Sequence, residues 1–96
     1  MLFCVIRHDK PAKLDLRLAE RPKHLEYLRL VLDKIIYGGA LRDTDGKQIG
    51  SMLIIDVVDE AAAKVFAAED PYSNTDLFEE TIIQSFRPVF KDGSWL

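Results

Sequence analysis

The chain has 96 residues, 48% hydrophobic and 30% charged, with thirteen Lys and Arg against sixteen Asp and Glu for a formal net charge of -3. That length carries one modest core, so a single globular domain over residues 1–96 is expected. The acidic balance excludes a sequence-independent grip on nucleic acid, which needs clustered basic residues, and no apolar run is long enough to cross a bilayer.

The opening "MLFCVIRHDK" has no basic start followed by an apolar stretch and cleavage site. The lone Cys4 suits a reducing compartment and, inside an apolar run, reads as a buried structural thiol. A cytoplasmic protein is expected.

Leu2 to Arg7 is a short β-branched, aromatic and aliphatic run that reads as a strand. "HDKPAK" breaks it. From Leu14 to about Lys34 the apolar spacing is helical, through Leu14, Leu18, Leu25, Leu28 and Leu32. Pro22 falls inside this stretch, where proline loses a backbone hydrogen bond and crowds the preceding turn. Either a short helix followed by a longer one starting near Pro22, or one kinked helix, is predicted.

"IIYGGAL" is a second strand whose Gly38-Gly39 pair suggests a bulge or a close approach. "RDTDGKQIG" is a polar turn with Asp45-Gly46 as its hairpin signal. "SMLIIDVV" is a third strand, apolar enough to be central. "DEAAAKVFAAED" is a second helix, with Asp59 as N-cap and Pro71 ending it at or just before Asp70. "YSNTDLFEE" reads as a loop or short helical turn. "TIIQSFRPVF" is a fourth strand with Pro88 marking an edge or bulge, and "KDGSWL" is a tail.

The order β, α, β, β, α, β is that of the ferredoxin-like α+β fold, a four-stranded antiparallel sheet with both helices on one face. The strands are apolar on both sides, through residues such as Phe3, Val5, Ile54, Val57, Ile82 and Phe86. A homodimer that buries the open sheet faces against each other is therefore expected.

His24 is the main candidate for chemistry, because imidazole titrates near neutrality and serves as general acid or base. It lies at the edge of the stripe formed by Leu28, Val31, Leu32 and Ile35, where a structural histidine is the more common occupant. Catalysis needs a carboxylate to fix its tautomer. Asp70, in "EDPY", sits where the helix dipole disfavours a negative charge, so it wants a partner, although Asp-Pro is also a frequent turn starter. Tyr72 either donates a hydrogen bond or packs its ring. His8 reads as an exposed turn residue.

Two histidines and one cysteine without close spacing argue against a metal site. No phosphate-binding glycine loop or nucleophile elbow is present, and no cofactor is expected. On the residues alone, this is an α+β domain without an assigned purpose.

Taken together, "KLDLRLAERPKHLEYL", "YGGAL", "IGSMLII", "AAEDPY" and "SFRPVF" resemble the YciI-like (YCII-related) family, in order and over nearly the whole chain. The segment resembling R-x-x-x-R-x-x-H-L is carried here by Arg17, Arg21, His24 and Leu25, and the DPY hallmark by Asp70, Pro71 and Tyr72. The loop "RDTDGKQIG" is shorter than that of bacterial members.

The resemblance implies a dimeric α/β barrel with His24 and Asp70 as the catalytic pair. It also implies proton-transfer chemistry, of lyase or isomerase type, on a small cyclic or aromatic metabolite. Relatives on the fold include a dehydrochlorinase of chlorinated hydroxyhydroquinones and muconolactone isomerase. Arg17 or Arg21 would anchor a substrate carboxylate, and Ser51 and the Gly39 backbone would serve a developing oxyanion. Tyr72 is added to this substrate-binding set. A non-catalytic small-ligand-binding or regulatory barrel is the alternative, and a heme- or quinone-handling relative a third reading.

Overall fold

The computed structural model describes residues 1–96. Strand β1 (Leu2–Asp9) leads into helix α1 (Leu14–Leu30), a 3-10 turn at Leu32–Lys34, and the hairpin of β2 (Ile35–Arg42) and β3 (Gln48–Asp56). Helix α2 (Glu60–Glu69), a second 3-10 turn at Pro71–Asn74 and strand β4 (Phe78–Ser85) complete the main body. The sheet order is β2-β3-β1-β4 with every neighbour antiparallel, the ferredoxin-like arrangement.

The β1 register decides which side chains face the helices. Phe3, Val5 and Arg7 lie opposite Ile55, Leu53 and Ser51 on β3, and opposite Ser85, Ile83 and Thr81 on β4. With period-2 alternation this set shares one face. Phe3, Val5 and Ile55 close on Ala63, Phe66 and Ala67 of α2 to form the buried core, with Leu28 and Val31 from the α1 end packed against it. Full burial of side chains such as Phe66 or Ile55 is worth roughly 1.5–3 kcal/mol each. Cys4, Ile6, Met52, Ile54 and Ile82 occupy the opposite face, which no helix covers. Cys4 is half-buried there, not fully enclosed.

Of the two readings for the first helix, the single element holds, and two other details differ from expectation. Helix α1 runs through Pro22. The amide that proline lacks would have paired with the carbonyl of Leu18, which lies on the exposed side of the helix. The fourth strand begins at Phe78 and ends at Ser85, three residues short of Pro88, because its partner β1 runs only from Leu2 to Asp9. The tail is also structured: Phe90–Lys91 (β5) pairs with Ser94–Trp95 (β6) around Asp92 and Gly93, both at positive φ.

The remaining turn chemistry follows the sequence. Asp59 caps α2 by accepting from the Ala62 amide at 2.8 Å. The β2–β3 turn is held by Asp43, whose side chain accepts from the amides of Asp45 and Lys47 at 2.9 Å each. Gly38 is required by a close approach, since a Cβ there would stand 2.3 Å from Leu53 and 2.6 Å from the Met52 carbonyl oxygen.

Candidate active site

Asp70 is the residue on which α1, α2 and β1 converge. Backbone angles of φ -62° and ψ 127° take it out of α2 ahead of Pro71. Its carboxylate then caps the following 3-10 turn by accepting from the Tyr72 amide at 3.0 Å. The negative charge therefore serves the turn that follows, instead of opposing the dipole of the helix before it. Asp70 is fully buried.

His24 reaches Asp70 across 46 residues of sequence, with Nδ1 2.9 Å from both carboxylate oxygens. The ring stacks on Tyr72, centroids 4.1 Å apart and planes 18° from parallel. Nε2 makes no hydrogen bond within the protein, and every buried side-chain nitrogen or oxygen has a partner, so Nε2 reaches solvent. One ring nitrogen is committed to a buried carboxylate and the other is open. That is the geometry of an oriented general base.

The third partner is Arg7, whose Nη1 donates to Asp70 Oδ2 at 2.9 Å while Nη2 reaches the Ala67 carbonyl at 3.4 Å. Burial alone would raise the Asp70 carboxyl, but the His24 hydrogen bond and charge, the Tyr72 amide and the Arg7 charge outweigh it and hold it below the usual carboxylate range. Burial also lowers the Arg7 guanidinium, with Asp70 opposing that effect.

The other expected site residues divide. Arg17 is buried and spends Nε and Nη2 on Asp9, both at 2.7 Å, while its guanidinium lies 4.9 Å from the Tyr72 ring centroid. An arginine enclosed in this way is not an open substrate anchor. Tyr72 is also buried and donates its hydroxyl to the Arg17 carbonyl at 3.1 Å, so its contribution to His24 is the stacked ring.

Arg21 is exposed one turn before His24, close enough for its charge to act on the Tyr72 phenol. It borders a concavity of about 390 Å³ with Leu18, Pro22, Leu25 and Arg29. Ser51 faces the helices beside Arg7. Gly39 pairs with Met52 on the side of the sheet away from the helices, so the structure does not bring its position to the pair. A concavity of about 480 Å³ lies beyond the end of β1, lined by His8, Lys10, Lys13, Asp43 and Lys47 among others. Neither hollow is lined by His24 or Asp70.

Arg7 and Asp9 are absent from the site expected on sequence. The signal for Arg7 was present: in "LFCVIRHD" it keeps step with Phe3 and Val5, so the alternation that buries those residues buries it too.

The YCII-related domain family matches residues 1–87. The chain belongs to that family. This YCII-related protein is 30% identical over 98 residues to Protein YciI of Escherichia coli O6:H1 and of Shigella flexneri, spanning 94% of this chain and 100% of each relative. Among solved structures it resembles 5-chloro-2-hydroxyhydroquinone dehydrochlorinase from Burkholderia phenoliruptrix in complex with 2,5-dihydroxybenzoquinone. That likeness has a TM-score of 0.86 at 30% identity, over 91% of this chain and 94% of the other. A putative antibiotic biosynthesis monooxygenase from Bacteroides thetaiotaomicron shares the fold alone, at TM-score 0.56 and 15% identity over 100% of this chain and 95% of that one. No helix of the YCII-related protein is long and apolar enough to cross a membrane.

Proposed function

We propose that this YCII-related protein is a small enzyme whose His24, oriented by Asp70, moves protons on a small oxygenated ring compound, as a lyase or isomerase. The observation that carries this reading is the 2.9 Å contact of Nδ1 with a fully buried carboxylate, with Nε2 left open to solvent. The dehydrochlorinase likeness supports the substrate class.

In the step proposed, Nε2 accepts a proton from a ring hydroxyl or an acidic ring carbon, and Asp70 balances the imidazolium that forms. The electron pair left on the ring takes up a proton at another carbon, which completes the step for an isomerase. For a lyase the carbon protonated is the one bearing the leaving group, and loss of a second hydroxyl proton then expels chloride. The imidazolium returns its proton to solvent or to the product, and no electrons are exchanged with the protein. Arg21 attracts the anionic oxygen of the substrate. Ser51 donates to it where charge develops. Arg17 acts indirectly, by holding Tyr72 against the imidazole.

A homodimer formed through the helix-free sheet face would bury the half-buried Cys4, Ile6, Met52 and Ile82 there. It would leave the His24 side uncovered, because the pair lies on the helix face.

The test is chloride release from chlorinated hydroxyhydroquinones by the full chain and by His24→Ala, with folding checked by circular dichroism. A general base of this kind contributes about 10²–10⁴-fold, so His24→Ala is expected to lose that factor. Equal rates in the two proteins would refute the assignment. Saturable binding without turnover in either would instead favour the non-catalytic ligand-binding barrel.

A further inference from the structure

A plain Asp–His pair leaves the full carboxylate charge to stabilise the imidazolium. Here the carboxylate is shared. Tyr72 donates to Oδ1, Arg7 donates to Oδ2, and His24 Nδ1 lies 2.9 Å from both. The Arg7–Asp70 contact is shielded from water, with side-chain exposures of 2% and 0%. Arg7 is fixed from two further directions, by the Ala67 carbonyl and by the Phe78 ring, whose centroid is 5.0 Å from the guanidinium carbon. The buried triad is formally neutral while the imidazole is neutral, and carries +1 once the ring is protonated.

The groups around the pair include Arg7 from β1, Arg17, Arg21 and Tyr27 from α1, Glu69 and Asp70 from the end of α2, and Tyr72 from the following turn. Of these side chains, only Arg7 and His24 donate to the Asp70 carboxylate.

We propose that Arg7 is a positioning residue for the His24–Asp70 pair. By occupying Asp70 Oδ2 it fixes the carboxylate plane, so that the neutral His24 ring carries its proton on Nδ1 and turns a bare Nε2 to solvent. This inference rests on the reading of His24 as the base and sharpens it. A bare Nε2 accepts a proton and holds none to donate, so the first substrate step is deprotonation, as for an acidic ring hydroxyl.

The test is nitrogen-15 NMR of the histidine rings in the full, ligand-free chain, for the parent, Arg7→Met and Arg7→Lys, at a pH where the rings are neutral. The parent is expected to show His24 protonated on Nδ1 and bare on Nε2. In Arg7→Met, with the Asp70 carboxylate free to turn, His24 shows both tautomers. Arg7→Lys, which still donates to Oδ2, follows the parent. A purely structural Arg7 would not produce this pattern.

A parent ring protonated on Nε2 instead, an Arg7→Met ring that keeps the parent's single tautomer, or an Arg7→Lys ring that matches Arg7→Met would each overturn the proposal. Should Arg7→Met not fold, Arg7→Gln makes the same comparison. No substrate enters the measurement, so the two ideas fail separately. The expected ring behaviour in a protein without turnover defeats the enzyme reading, and turnover with an Arg7-independent ring defeats this one.

Discussion

Replacing Asp70 with Asn removes one negative charge from a site where water cannot replace it. Asp70 is 0% exposed and Arg7 2%, so solvent screening does little there. The substitution keeps the side-chain shape and one carbonyl oxygen, which can still accept from the Tyr72 amide. It leaves the Arg7 guanidinium buried without a counter-charge and presents an amide nitrogen to a donor.

Breaking a buried ion pair from one side costs about 3–5 kcal/mol. A domain of this size has only about 5–15 kcal/mol in total. At about 4–8 °C per kcal/mol for a chain of about 100 residues, the melting temperature should fall by at least about 12 °C. Urea and thermal unfolding followed by far-UV circular dichroism measure both quantities. The double variant Arg7→Met with Asp70→Asn, which removes the stranded charge as well, should regain part of the loss. A cost below about 1 kcal/mol, the range of an exposed pair, would refute the reasoning.

Acid should act through the same carboxylate. Burial opposes its ionisation, but His24, the Tyr72 amide and Arg7 hold Asp70 below the usual carboxylate range. Its ionised form therefore contributes stability that is fully present above the unfolded value of about 3.9 and is lost as pH falls through the lower folded value. The urea midpoint of the parent should drop below about pH 4, and that of Asp70→Asn should drop less; equal slopes would contradict this. Glycine substitutions separate packing from chemistry. A Cβ at Gly50 would stand 2.2 Å from the Arg7 carbonyl oxygen, whereas one at Gly39 meets nothing within 4 Å. Gly50→Ala should cost about 1–3 kcal/mol, as overpacking does, and Gly39→Ala should change stability by less than about 0.5 kcal/mol. Urea denaturation distinguishes them, and equal costs would show that the β1–β3 approach is looser than described.

The element order was legible because each periodic run was long enough to show its period and each break carried a turn residue. Asp59 as a cap and Asp45-Gly46 as a hairpin turn are local chemistry, and local chemistry is written in consecutive residues. Strand ends are not. Phe78-Glu79-Glu80 looks polar but pairs with Asp9 and His8, while "FRPVF" looks apolar but has run past the end of β1. Pro22 left two readings open for a related reason. The proline penalty is local, but helix continuity is also supported from both sides, by Arg17 on Asp9 and His24 on Asp70.

The contact between His24 and Asp70 was suggested by family resemblance, since nothing in the periodicity joins residues 46 apart. Arg7 was legible from alternation and was missed because a charge in a strand reads first as exposed. The commitment of Arg17 to Asp9 is a tertiary pairing that the helix pattern alone does not contain.

In the proposed reaction His24 Nε2 meets the substrate. A crystal structure of the full chain with 2,5-dihydroxybenzoquinone tests it most directly. A ligand oxygen is expected about 2.6–3.2 Å from His24 Nε2, the reach of a working base, with Nδ1 still on Asp70. A ring seated instead among His8, Lys13 and Lys47 beyond the end of β1, with Nε2 untouched, would contradict it.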